Sequence, residues 1–350
     1  MKFLSYIFTC YVNANTLAAD CFFLLALFHI MIQVHRDLEH LPTFRKAVIT
    51  IGTFDGVHLG HQQIIQQLKA EASSINGETV IITFYPHPRK IVAGKSHIRI
   101  LNTLEEKIEL LNAKGIEHVV VIPFNEAFAS QSAEEYVFNF LVNKFHPHTI
   151  IIGYDHRFGK GRMGDYHLLE DLGKEYGFLV KEIPEHILNE VIISSTKVRE
   201  ALLAGDIEAA NKFLGYAYFF EGTIVEGNRL GRTIGYPTAN IKMEDEEKLV
   251  PGNGIYAVTV ELRNLGHTTE NAQSTRLKGM MNIGVRPTVD GTKRTIEVNI
   301  FDFDQDIYGQ TMRIYVHHYL RGEVKFNGLE ELKNQLAIDK QETMKLLSEL

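Results

Sequence analysis

Residues 47–63 read AVITIGTFDGVHLGHQQ, and this order of residue types decides the fold of the first half of the chain. The apolar, β-branched run 47–51 predicts a buried strand. Gly52, Gly56 and Gly60 then break the run into a tight turn. Over 61–72 the pattern becomes helical, with Ile64, Ile65 and Leu68 on one face. Strand, glycine-rich turn and helix N-terminus together make an anion site, because unpaired backbone N–H groups and the helix dipole converge on the ligand. His58 and His61, three apart at the helix start, can both face one phosphate.

Outward from this stretch, strand-like runs recur at 79–84, 118–123, 149–153 and 178–183, with helical patterns at 104–114 and 132–144. That alternation predicts a parallel α/β sheet. Beyond residue 215 the runs 254–262, 295–301 and 312–320 alternate apolar and polar side chains, as half-buried antiparallel strands do. The polar stretch 263–276 reads as a long hairpin loop and 329–350 as a closing helix. The second half is expected to be a small antiparallel β-barrel or sandwich with a C-terminal helix. The expected division is an N-terminal extension 1–30, an α/β domain 31–214 and a β domain 215–350.

A chain of 350 residues can build two separate cores. Its 45% hydrophobic and 23% charged residues are those of a globular protein. A net charge of −7 argues against nucleic acid as a partner, which needs a broad basic face. The two cysteines, Cys10 and Cys21, lie at the N-terminus, so the body of the chain has no disulfide and suits the reducing cytoplasm. The apolar run 21–34 is shorter than the roughly 20 residues of a membrane span. With Lys2 its only preceding cation and Asp20 against it, it is also a poor signal peptide. No membrane partner is expected, and residues 1–30 are read as untranslated upstream sequence, with Met31 the expected true start.

A second phosphate site is sought in vain among Walker loops, because GxxxxGK[ST] is absent from the sequence. Instead, GNRLGRTIGYPTANI (227–241) offers a glycine-rich loop through Gly231 and Gly235, followed by Thr238 and Asn240. A hydroxyl and an amide carbonyl suit Mg²⁺, which takes its remaining ligands from water and nucleotide phosphates. In TIEVNIF (295–301), Ile296, Val298 and Ile300 point one way and Glu297 the other. Asn125 and Asp155 are turn or cap types, and Ser194 is a helix N-cap type ahead of 197–203.

The 52–61 turn resembles the HxGH motif of the nucleotidyltransferase superfamily. The ordered motifs TFYPHPRK (83–90), PFNEAFAS (123–130), GYDHRFGKGRMGD (153–165) and SSTKVRE (194–200) resemble the adenylyltransferase module of bacterial bifunctional riboflavin kinase/FMN adenylyltransferases. Residues 227–241 resemble the riboflavin kinase signature, with NIGVRPT (282–288), FDFDQDIYG (301–309) and YLRGEVKF (319–326) matching the same family. The resemblance covers 31–350. It implies phosphorylation of riboflavin by ATP to FMN, then adenylyl transfer from ATP to FMN, giving FAD and pyrophosphate. By the same resemblance His58 and His61 stabilise the ATP phosphates, in a site that includes Gly52, Phe54 and Gly60. Ser195, Thr196 and Arg199 clamp the phosphates from the other side, and Asn125 and Asp155 orient phosphates, metal or flavin. In the kinase half it implies Glu297 as base toward the riboflavin 5′-hydroxyl, Thr238 and Asn240 as Mg²⁺ ligands, and Arg321 closing over flavin or nucleotide. NIGVRPT is expected to form a turn near that site. His156 stands where the family usually carries Phe, a tuned contact in an otherwise matching motif. The alternatives are a chain with one working module and a non-catalytic flavin-binding regulator.

Overall fold

The structure, a computed structural model, describes residues 32–92, 98–183, 193–227, 230–263, 276–288 and 291–349. The extension 1–30 and nearly all of the 263–276 loop lie outside the described residues. In the first half, β1 (Gln33–His35), β2 (Val48–Ile51), β3 (Thr79–Tyr85), β4 (His118–Pro123), β5 (Thr149–Gly153) and β6 (Leu179–Ile183) form one sheet in the order β1-β4-β3-β2-β5-β6. Every adjacent pair is parallel.

Strand β2 is apolar throughout because it is buried on both faces. Val48 packs with Ile65 and Leu68 of α1 (Leu59–Ile75) and with Leu104 and Leu111 of α2 (Leu104–Ala113). Ile49 and Ile51 face the opposite way, onto Val137, Phe140 and Leu141. The helix expected over 132–144 is present, but Tyr136–Val142 is wound as a π-helix, which periodicity does not reveal. The short edge strand β1 escapes a reading by periodicity because its residues are partly exposed and carry no alternation.

The second half is a closed barrel of β7 (Tyr218–Val225), β8 (Ala239–Lys242), β9 (Gly254–Arg263), β10 (Leu277–Thr288), β11 (Gly291–Ile300) and β12 (Thr311–Arg321). Its pairings are antiparallel, and closure leaves no open edge. Tyr218, Phe220, Val258, Met281, Ile283, Ile296, Val298 and Ile314 fill the interior. The turn expected at 282–288 is not there: this segment is the second half of β10, paired with β11 from Asn282↔Glu297 to Thr288↔Gly291. Gly284 and Pro287 favour turns in isolation, but the long hairpin pairs their backbone across the barrel wall. Helix α5 (Leu329–Leu346) closes the chain against the barrel, where Lys278 Nζ donates to Leu347 O at 2.8 Å. Among the described residues no helix is long and apolar enough to cross a membrane.

The halves share a core: Leu101, together with Val198 and Leu202 of α3 (Ser195–Ala204) and Leu214 of α4 (Ile207–Leu214), belongs to the same apolar cluster as the barrel interior. Charged contacts converge on α2. Lys248, 1% exposed, reaches from the barrel domain to Glu106 Oε2 at 2.5 Å and to Leu101 O at 2.6 Å. Arg313 of β12 grips Glu109 through both terminal nitrogens, at 2.5 and 2.6 Å. Burial lowers the Lys248 pKa, and the Glu106 carboxylate opposes that shift. Replacing Lys248 with Met is expected to destabilise the chain by about 3–5 kcal/mol, because Glu106 is left as an uncompensated buried charge. Denaturant unfolding checks this; the double change Lys248→Met, Glu106→Leu should recover part of the loss.

Candidate functional site

The first site forms at the carboxyl end of β2, where the sheet order reverses between β2 and β5. The turn after β2 winds through positive φ at Phe54 (48°), Gly56 (88°) and Val57 (35°). A Cβ on Gly56 would lie 2.7 Å from Leu101 Cδ1, so glycine is required by space as well as by φ. Two non-glycine residues held at positive φ store strain that the surrounding packing must over-determine. Gly52 and Gly60 lie against the rings of Phe54 and His58.

This winding puts His58 at the N-cap of α1, where Nδ1 accepts from His61 N–H at 3.4 Å. The two imidazoles stack, with centroids 3.7 Å apart and planes 16° apart, and Phe54 flanks His61 at 5.0 Å. Burial pushes the His58 pKa down to about 4 and lowers that of His61 well below the usual value, with His58 and Lys107 adding to the latter shift. Both rings are therefore neutral at pH 7. His61 Nδ1 is buried and has no partner among the described residues.

Asp55, 2% exposed, organises the floor of this turn. Its Oδ1 accepts from Leu101 N at 2.9 Å and Asn102 N at 3.3 Å, while Oδ2 pairs with Arg199 Nη2. Arg199 lies on α3 (Ser195–Ala204), and its Nε donates to Arg99 O at 2.7 Å. Ser195 Oγ donates to Asp55 O at 2.9 Å, while Ser194 caps α3 by accepting from Lys197 N. Thr196 is exposed in the first turn. Of the expected clamp residues, Ser195 and Arg199 thus meet the HxGH turn at Asp55 from a separate helix, while among the described residues Thr196 makes no such contact.

Asn125 and Asp155 stand after β4 and β5, at the same carboxyl edge of the sheet. Asn125 caps the short helix Glu126–Ala129, accepting from Phe128 N at 2.8 Å, and Asp155 is exposed. His156 is stacked on Phe158 at 6.0 Å, and burial takes its pKa down to about 4. Motif reading missed Asp55, His87 and Lys107. Burial pushes His87 to about 4 and Lys107 to about 8, against the influence of Asp55 on both. The signal available was their charge within otherwise apolar or turn segments, which only packing turns into a site.

The second site lies on the outer wall of the barrel. Register places Arg321, Ile255, Asn282, Glu297 and Asn240 on one rung across β12, β9, β10, β11 and β8. Glu297 faces outward while Ile296 and Val298 fill the interior. Thr238 Oγ1 donates to Glu297 Oε2 at 3.4 Å, and Asn299 Nδ2 holds the segment by donating to Pro237 O at 2.6 Å. A Cβ on Gly231 would lie 2.2 Å from Tyr236 O, and Gly235 sits at φ 82°, so the loop ahead of Thr238 folds tightly on itself. Buried Asn282 Oδ1 and Thr295 Oγ1 have no partner among the described residues. Arg321 is on the rung, but its guanidinium is engaged: Nε and Nη2 donate to the buried carboxylate of Asp339 on α5 at 3.0 and 2.6 Å.

A family model described as FAD synthetase matches residues 41–197, and one described as riboflavin kinase matches 214–347. The bifunctional riboflavin kinase/FMN adenylyltransferase of Haemophilus influenzae is 38% identical over 84% of this chain and 92% of its own. The Escherichia coli K12 protein of the same name is 36% identical, covering 84% and 90%. That of Bacillus subtilis is 36% identical, covering 87% and 94%. A solved structure described as a macrolide-efflux protein from Streptococcus pneumoniae superposes with a TM-score of 0.77 at 30% identity, covering 89% of this chain and 98% of that one.

Proposed function

Because the chain belongs to the bifunctional riboflavin kinase/FMN adenylyltransferases, making FMN from riboflavin and FAD from FMN with ATP, we propose how its residues divide the two reactions. Adenylyl transfer falls to the turn after β2. The FMN phosphate attacks the α-phosphorus of ATP directly, so positioning and charge neutralisation carry catalysis, with no protein nucleophile. Backbone N–H groups at the head of α1, the neutral His58 and His61 rings and Arg199 receive the phosphates, within a turn built by Gly52, Phe54 and Gly60. Asp55 holds Arg199 in place, and Ser195 and Thr196 present the start of α3. Asn125 and Asp155 act from the edge of the sheet toward flavin, metal or phosphate.

Riboflavin phosphorylation falls to the barrel wall. Glu297 takes the 5′-hydroxyl proton as that oxygen attacks the γ-phosphorus, whose bond to the β,γ-bridging oxygen breaks to release ADP. Gly231 and Gly235 shape the loop over the ATP phosphates. Thr238 and Asn240 fit Mg²⁺: both carry hard neutral oxygens, Asn240 pairs in register with Glu297, and the Thr238 hydroxyl reaches the Glu297 carboxylate. When bound, the ion neutralises phosphate charge. Arg321 serves the flavin end through α5, which it anchors. The observation that carries this division is the Thr238–Glu297 contact, in a domain separate from the His58–His61 stack. The absence of cysteine beyond Cys21 supports a cytoplasmic setting, and the acidic balance one without nucleic acid.

Flavin chromatography after incubation with riboflavin, ATP and Mg²⁺ is expected to show FMN first and FAD after it. Chelating the divalent ion should stop FMN formation. If riboflavin were bound but left unchanged, the chain would instead be a flavin-binding regulator.

A further inference from the structure

Helix α2 carries a buried lysine into the adenylyltransferase site that no motif singles out. Lys107 is 7% exposed, and its Nζ lies at the carboxyl end of β3, donating to Thr83 Oγ1 at 3.3 Å. Thr83 Oγ1 in turn donates to Thr53 O at 3.2 Å, beside the glycine-rich turn. That hydroxyl is the only hydrogen-bond partner of Nζ among the described residues.

An ammonium buried on such terms lacks compensation. The carboxylate acting on it is Asp55, whose oxygens are already taken by Leu101 N, Asn102 N and Arg199. The titratable groups it acts on across the turn, His61 and His87, are neutral and cannot balance it. A cation held one hydroxyl away from the glycine-rich turn, and acting on His61, whose Nδ1 has no partner among the described residues, is completed by an incoming anion. The neighbouring imidazole stack is the element assigned above to the ATP phosphates, so the anion that meets Lys107 comes from ATP.

We propose that Lys107 is a catalytic residue of adenylyl transfer whose ammonium binds the β- and γ-phosphates of ATP and holds them as pyrophosphate leaves. This rests on the assignment of adenylyl transfer to the β2 turn. In the step, an FMN phosphate oxygen forms the bond to the α-phosphorus and the bond from that phosphorus to the β-bridging oxygen breaks. Pyrophosphate departs with the electron pair. Lys107 stays protonated throughout and transfers no proton.

The test compares full-length wild type, Lys107→Met and Lys107→Arg. Three rates are read: riboflavin phosphorylation, FAD formation from FMN and ATP, and the reverse reaction of FAD with pyrophosphate. Lys107→Met should lower FAD formation about 10²–10³-fold, the usual effect of losing one preorganised donor to developing charge. Its KM for pyrophosphate should rise while its KM for FMN and its kinase rate hold. Lys107→Arg should restore much of the activity. Pyrophosphate should raise the melting temperature of wild type and fail to raise that of Lys107→Met. Burial takes Lys107 to about 8, so wild-type kcat/KM for ATP should fall above that pH, with Asp55, His61, His87 and Arg199 the other ionisable groups at the site. Lys107→Arg should abolish that fall. A Lys107→Met chain forming FAD at the wild-type rate overturns the inference, as does a loss confined to KM for FMN or an equal loss of kinase rate. A wild type that makes FMN and no FAD overturns the underlying assignment as well.

Discussion

Glu297→Gln is expected to lower FMN formation about 10²–10⁴-fold, the contribution of a general base, while FMN supplied to the same chain still becomes FAD at the parent rate. The amide keeps the size of the side chain and can still bond to Thr238, so the barrel wall is preserved. It cannot take a proton from the riboflavin hydroxyl. Ile296 and Val298 on either side fill the barrel interior, so the exchange leaves the core untouched. The readout is flavin chromatography from riboflavin and, separately, from FMN. An unchanged kinase rate would remove Glu297 from its role.

The second large effect is expected at His61. His61→Ala should cut FAD formation about 10²–10³-fold, as removal of one preorganised group at developing charge does, and leave riboflavin phosphorylation intact. The ring stacks 3.7 Å from that of His58, so its removal also takes away packing that orients the His58 ring. Equal loss of both activities would mean damage to the fold or coupling through the shared core. The kinase rate is an internal control because the two sites occupy different domains.

Much of this was legible in residue order. The strands at 48–51, 79–85, 118–123 and 149–153 announce themselves because central parallel strands are apolar on both faces. The outward Glu297 was equally readable, since strand period two leaves no choice once Ile296 and Val298 are committed inward. The glycine-rich turn with His58 and His61 is local, so its meaning does not depend on distant partners. Segments with mixed preference were harder. Residues 282–288 carry turn formers yet run as strand, because register with β11 overrides propensity. The three-residue edge strand β1 has too little length to show a pattern.

Pairings between distant residues were not legible at all. Lys248 meets Glu106, Arg321 meets Asp339, and Asp55 meets Arg199 across 142, 18 and 144 residues of chain. Arg321 was expected to close over flavin, yet its fork is filled by a buried aspartate on α5. By itself, then, the sequence determined the two architectures, the position of both glycine-rich loops and the direction of the strand side chains, because each follows from local periodicity and backbone chemistry. Only the tertiary structure decided which charges are buried, which are compensated and which, like Lys107, are left open to a ligand. Desolvation and ion pairing depend on what packs against a group, and that is a property of the fold, not of its neighbours in the chain.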